Sequence, residues 1–214
     1  SSQIRNVVYF NRTNPGYDVQ WEWNDFRNQI LLTTGLESKK LQRQILRSRI
    51  NFSRALSGIF SLTRMRNLQE SESFSSKDFQ IEGWEYQPEM TWQPGSNFRL
   101  LSQYRFSSNK NKKADSGETA VIHDVKVETV FNKIATSSLR ANMSLVLIQF
   151  NGQRNTSLEF AMLEGLKNGT NWLWGISYDR TLVNNIRLNI SYDGRRSGES
   201  RTVHTARAQI SAFF

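Results

Sequence analysis

The chain has no cysteine, three prolines and two histidines among 214 residues. Without cysteine there can be no disulfide, no zinc–thiolate centre and no thiol nucleophile. No stretch approaches the ~20 consecutive apolar residues that a membrane-spanning helix needs. No segment rich in Pro, Gly and Ser divides the chain, so it is read as one domain covering residues 1–214. Metal-ligand spacings, a glycine-rich phosphate loop and a nucleophile elbow are also missing. His123 lies beside Asp124 in sequence, but neighbours on a strand point to opposite faces, so the two do not form a base and its orienting carboxylate. The expectation is a protein without enzymatic activity, cofactor or metal.

What the sequence does contain is alternation. Tyr17, Val19, Trp21 and Trp23 share one parity against Asp18, Gln20 and Glu22, and Ile30, Leu32 and Leu36 read as a following strand. Leu46, Ile50 and Phe52 oppose Arg47, Arg49 and Asn51. The pattern resumes in Trp84, Tyr86, Met90 and Trp92, and again in Phe98, Leu100, Tyr104 and Phe106 against Arg99, Gln103 and Arg105. Val121, Val125, Val127 and Phe131 face away from Asp124, Lys126 and Glu128, and Leu139, Met143, Leu145 and Leu147 away from Arg140, Asn142 and Ser144. Trp172 to Tyr178, Ile186 to Tyr192 and the closing "HTARAQISAFF" complete about a dozen strands, many near the ~9–11 residues that cross a bilayer at a tilt.

Alternation leaves open which face is inside, since a soluble sandwich buries its apolar face and an outer-membrane barrel turns it to lipid. A mean hydropathy of -0.58 is compatible with a barrel, because only alternate residues meet lipid. Aromatic residues stand near strand ends at Tyr17, Trp84, Trp92, Trp172, Tyr178 and Tyr192, where interfacial girdles would lie. The other parity is rich in Arg, Asn, Gln and Ser, as a hydrated lumen requires. The fold expected is therefore all-β: an antiparallel transmembrane outer-membrane barrel of about 12 strands, complete or part of a larger one. Its lumen would be lined by Arg27, Arg47, Arg49, Arg99, Arg105, Lys126, Arg140, Arg187 and Arg207, facing Asp18, Glu22, Glu85, Glu89, Asp124, Glu128 and Asp179.

If the last strand ends at the periplasm, strand reversal assigns the loops. "DGRRSGESRT", "NKNKKADSGE" and "LQESESFSSKD" become external, and "TLVNN", "FNKIATSS" and "QPGS" become periplasmic. "RTNPG" is also assigned to the external side. "NGQRNTSLEFAMLEGLKNGT" reads as one external loop holding a short helix. Thr156 or Ser157 would cap it, Leu158, Met162 and Leu166 would share a face, and Gly165 or Gly169 would end it. Such a loop would fold over the barrel mouth.

The segments "LEGLKNGTNWLW", "NNIRLNISYDGRRSG" and the terminal "AFF" resemble the closing part of large outer-membrane proteins of the Bacteroidota, in which a soluble N-terminal region precedes a C-terminal barrel. The likeness is clear over the last ~65 residues and looser before them. It implies that the chain is the C-terminal part of a longer protein, placed in the bacterial outer membrane. It also implies that Ile210, Ala212 and Phe214 form a signal read by the barrel-assembly machinery. Ala206, Ala208 and Ala212 stand where bulkier residues are often found in such signals.

The net charge of +9 and isoelectric point near 10.0 do not indicate a nucleic-acid partner, because the basic residues are dispersed on alternate strand positions without a stacking platform. The excess lies in Lys39, Lys40, Lys110, Lys112, Lys113, Arg195, Arg196 and Arg201, which placed externally would meet lipopolysaccharide phosphates. Two functions fit the pattern. One is a membrane anchor or scaffold within a larger envelope complex for export or assembly, holding envelope protein partners. The other is a pore passing small anionic solutes through an arginine-lined lumen. The near balance of inward charge and the folded loop at 151–170 favour the first.

Overall fold

The computed structural model describes residues 1–212 except 34, 75–77, 114–116, 134–135 and 183–185. Eleven strands stand among them: β1 (Ser2–Phe10), β2 (Tyr17–Leu32), β3 (Gly35–Asn51), β4 (Leu56–Ser71), β5 (Phe79–Trp92), β6 (Phe98–Asn111), β7 (Thr119–Lys133), β8 (Ser137–Asn151), β9 (Gly169–Thr181), β10 (Ile186–Ser197) and β11 (Val203–Ala212). One six-residue helix, α1 (Ser157–Met162), lies between β8 and β9. All strands form one antiparallel sheet in sequential order, with β1 and β11 at its edges.

The strand division differs from the alternation reading at two places. Ile30 and Leu32 close β2 and Leu36 opens β3, so the apolar run around them is a hairpin and not a strand of its own. β4 was not visible as alternation because Arg64 and Arg66 occupy the parity that Leu56, Phe60 and Leu62 begin. Four strands, β2 to β5, separate "RTNPG" from "QPGS", so the two lie at the same end of the sheet and the external assignment of "RTNPG" is corrected. The longer connections gather at the opposite end with α1, here called the loop end.

Register is constant along each ladder, so lateral rows can be followed across the sheet. On one face Trp21, Leu46, Leu62, Tyr86, Phe106 and His123 are successive cross-strand partners. Most large side chains on this face remain exposed, among them Ile4, Val8, Phe10, Trp84, Met90, Phe131, Met143 and Ile176. A continuous exposed apolar surface of this kind suits a lipid environment and no aqueous one.

The other face is polar through most of its height and turns apolar at the loop end. There Phe79 and Ile81 of β5, Ala120 and Ile122 of β7, and Val146 and Ile148 of β8 are buried together with Leu158, Met162 and Leu163. The hydrophobic core is thus a cap inside the loop end, built from the sheet and α1.

Candidate functional site

α1 begins where Thr156 accepts a hydrogen bond at Oγ1 from the Glu159 amide (3.0 Å), while the Glu159 carboxylate accepts one from the Asn155 amide. The first bond satisfies an amide that the first helical turn leaves unpaired, and the second ties the residue before the cap to the same turn. Leu158 and Met162, four apart, present one buried side to the sheet. The chain leaves the helix through Glu164 and Gly165, both at positive φ (55° and 78°). The sequence anticipates the helix and its buried side and leaves the cap to Thr156 or Ser157; the structure gives it to Thr156.

The segment after α1 is pinned by Asn171 of β9, which is completely buried. Its Nδ2 donates to the carbonyls of Lys167 (2.8 Å) and Gly169 (3.1 Å), and its Oδ1 accepts from the Lys167 amide (3.3 Å). Lys167 Nζ donates to Ser200 Oγ at 2.8 Å, tying this segment to the β10–β11 connection.

Below the cap lies a cavity of about 670 Å³ bordered by β2 to β7. Arg105 of β6 is its central cation. It donates two hydrogen bonds to Glu164, at 2.7 and 2.9 Å, and stands 3.5 Å from both Glu85 and Asp124. Its side chain is only 15% exposed, so the three carboxylates offset the cost of removing the guanidinium from water. Three strands and the loop carrying α1 meet at this one side chain.

The other anticipated lumen residues can be placed by parity. Arg49 pairs with Asp18, Arg99 with Glu128 at 3.2 Å and Arg187 with Asp179 at 3.5 Å, all on the polar face. Arg47 and Lys126 border the cavity, and Arg140 and Arg207 share the polar parity through their partners Ser177 and Ser191. Arg27 does not. It has the parity of Trp21 and Trp23, on the apolar face, and is paired there with Asp25 at 3.0 Å. Reading Ile30, Leu32 and Leu36 as a separate strand sets Arg27 against their apolar parity, whereas Arg27 and Ile30 belong to β2, in which Arg27 follows Trp21, Trp23 and Asp25 on one parity.

Sequence reasoning missed Arg5, which donates to Glu22 at 3.0 and 2.8 Å, and the role of Glu164, which lies far from Arg105 in sequence. The apolar cap was legible in "AVIHDV" and "LVLIQF", where both parities are apolar at the loop end of β7 and β8.

Tyr17, Trp84, Trp92, Trp172, Tyr178 and Tyr192 all stand on the apolar face, and Trp92 packs edge-on against Phe98 with centroids 5.6 Å apart. The two histidines are on that face too, as partners of tyrosines: Tyr104 Oη and His123 Nδ1 are 2.8 Å apart, as are Tyr192 Oη and His204 Nδ1. Ile210 and Ala212 lie on the apolar parity of β11, 70% of Ile210 being exposed; Phe214 is outside the described residues.

No protein-family model matches the chain, and the search of curated proteins found no match. Solved structures do resemble it. The outer membrane channel DcaP of Acinetobacter baumannii superposes over 97% of this chain with a TM-score of 0.62 at 12% identity, and the chain spans 60% of DcaP's length. OmpT, an outer membrane protein of Vibrio cholerae, superposes over 98% of this chain and 91% of its own with a TM-score of 0.52 at 8% identity. The fold is that of bacterial outer-membrane β-barrels.

Proposed function

We propose that this chain is the wall of a plugged outer-membrane β-barrel that serves as a membrane anchor or scaffold for envelope partners. The observation that carries the reading is the seating of α1. An apolar cap and the Arg105–Glu164 pair fasten the loop across the inner face, which favours a closed, braced barrel over an open duct. The proposed orientation puts the loop end outside and the "QPGS" end in the periplasm, with the exposed apolar face in lipid.

Unpaired edges are not tolerated in hydrocarbon, where each unmet backbone group costs several kcal/mol. The free edges of β1 and β11 therefore meet each other or further strands. The part-length match to DcaP and the resemblance to the C-terminal barrels of large Bacteroidota proteins favour further strands. The expected biogenesis partner is the barrel-assembly machinery, reading the β11 terminus.

A second reading has its own support. The cavity contains Arg43, Arg47 and Lys126, which make no ion pair among the described residues, and a channel is among the structures that superpose. On this reading α1 narrows a pore that favours small anions.

Planar-bilayer conductance of the folded protein, with and without residues 153–168, separates the two. Silence in both, with heat-modifiable migration retained, supports the anchor. Silence that becomes current on deletion shows a duct closed by the loop. Steady anion-selective current from the intact protein overturns the anchor reading.

A further inference from the structure

The apolar face is not uniform. Its row Trp21, Leu46, Leu62, Tyr86 is followed one step toward the loop end by Trp23, Gln44, Arg64, Trp84, and then by Asp25, Gln42, Arg66, Glu82, Lys110. Each step is two residues, or roughly 7 Å along the strand. Lys40 continues the series beside Arg27. At the same end of β7 to β9 the outward parity holds Thr119, Val121, Leu147, Gln149, Thr170 and Trp172, with no cation. Between β2 and β9 the outward basic residues at this end are therefore confined to one sector, β2 to β6, with Arg196 of β10, the partner of Trp172, standing apart from it.

This sector holds a recess of about 250 Å³ lined by Trp23, Gln42, Gln44, Arg64, Arg66 and Glu82. Arg64 makes no ion pair among the described residues and lies over the Trp84 ring, 5.5 Å from its centroid. Glu82 is the opposing charge in the recess, and it is already engaged: Arg66 is 3.5 Å away and Gln80 Nε2 donates to it at 2.9 Å. Asp25 is likewise held by Arg27 and by Gln42 Nε2 at 2.8 Å. Exposed arginines on the lipid side of a barrel are costly at the bilayer midplane and nearly free at head-group depth, so the aromatic row fixes their level as interfacial.

We propose that this recess binds a phosphorylated glycolipid of the outer leaflet, an inference that rests on the outer-membrane reading and on the loop end facing outward. Arg64 and Arg66 take the phosphate through guanidinium forks, with Lys40 as a further charge. The Gln42 and Gln44 amides meet sugar hydroxyls, and the acyl chains lie on Leu46, Phe60 and Leu62 in the rows below. This differs from contact by loop lysines, because here the cations stand directly above the apolar rows and so read head group and chains as one ligand.

The test is native mass spectrometry of the detergent-folded full chain. The probes are bis-phosphorylated lipid A, the same lipid A without phosphates, phosphatidylglycerol, and inorganic phosphate as competitor. The variants are Arg64→Gln/Arg66→Gln and, as control at the opposite end of the sheet, Arg180→Gln. The expected result is a one-to-one lipid A adduct weakened at least about tenfold in the double variant and unchanged in the control. Loss of the phosphates should weaken it comparably. Equal retention of phosphatidylglycerol would show a general anionic-lipid surface and overturn the glycolipid assignment. Displacement by millimolar inorganic phosphate would show a free-anion site, and an undiminished adduct in the double variant would place the lipid elsewhere; both overturn it. Heat-modifiable migration and vesicle insertion of each variant report on the outer-membrane reading separately, and failure of the parent chain there removes that reading itself.

Discussion

Arg105 on β6 and Glu164 just beyond α1 are 59 positions apart in sequence and joined by two hydrogen bonds of 2.7 and 2.9 Å. The pair is bidentate, with Glu85 and Asp124 behind it, so one guanidinium couples the wall to the plug. Glu164 is about half exposed whereas Arg105 is largely buried, and that asymmetry decides what each substitution should do.

Glu164→Gln should loosen the loop while leaving the wall intact, because Arg105 keeps its two remaining carboxylates. A loss of at most about 1 kcal/mol is expected in urea unfolding, with increased proteolysis within residues 152–168. Unchanged proteolysis would argue against the latch.

Arg105→Ala should cost more, roughly 2–4 kcal/mol, because Glu85 and Asp124 lose their shared partner inside the barrel. Urea unfolding in matched detergent measures it, and Glu85→Gln added to Arg105→Ala should recover part of the loss. Absence of any recovery would mean that the two carboxylates are not what Arg105 neutralises.

Asn171→Leu removes the side chain that meets the carbonyls of Lys167 and Gly169. Unfolding free energy should fall by roughly 1–3 kcal/mol, and the fall should be smaller in a chain lacking residues 153–168, where the pinned segment is gone. An equal loss in both backgrounds would place the effect in the wall.

Gly194 faces Trp174 across the β9–β10 ladder, and a Cβ at this position would come within 2.2 Å of the indole. Gly194→Ala should therefore displace Trp174 and cost roughly 1–3 kcal/mol, with a shift in tryptophan fluorescence. In the Trp174→Ala background the same substitution should be nearly neutral.

At the loop end, Asp78 accepts hydrogen bonds from Lys113 Nζ (2.9 Å) and the Ser71 amide (2.7 Å), and Glu70 lies 3.7 Å from the same ammonium. Burial pushes the Asp78 carboxyl up, but the Lys113 hydrogen bond, the Ser71 amide and the charge of Lys113 outweigh it and hold the group below its ordinary value. A lowered carboxyl contributes stability that is complete above the unfolded value of roughly 4 and is lost as pH falls through the folded value. The stability difference between the native chain and Asp78→Asn should be constant from pH 7 to 5 and shrink below about pH 4. Unfolding midpoints across that range check it, and a difference that persists unchanged at pH 3 would refute the clamp.

The alternation of Tyr17 to Trp23, of Phe98 to Phe106 and of Leu139 to Leu147 was enough by itself to determine an all-β chain with one apolar and one polar face, because strand side chains alternate whatever they pack against. The α1 helix, with a cap at Thr156 or Ser157, was also determined locally, since capping and four-residue spacing involve near neighbours only. The tertiary structure decided the rest. Strand pairing made Ile30 to Leu36 a hairpin and kept Arg27 within β2, so that it shares the parity of Trp21 and Trp23 and stands on the apolar face. It also brought Arg105 to Glu164, and it aligned Gln42 with Arg66 and Gln44 with Arg64 on the outer surface. Those contacts depend on the register of neighbouring strands, and register is a property of the assembled sheet that no single strand carries.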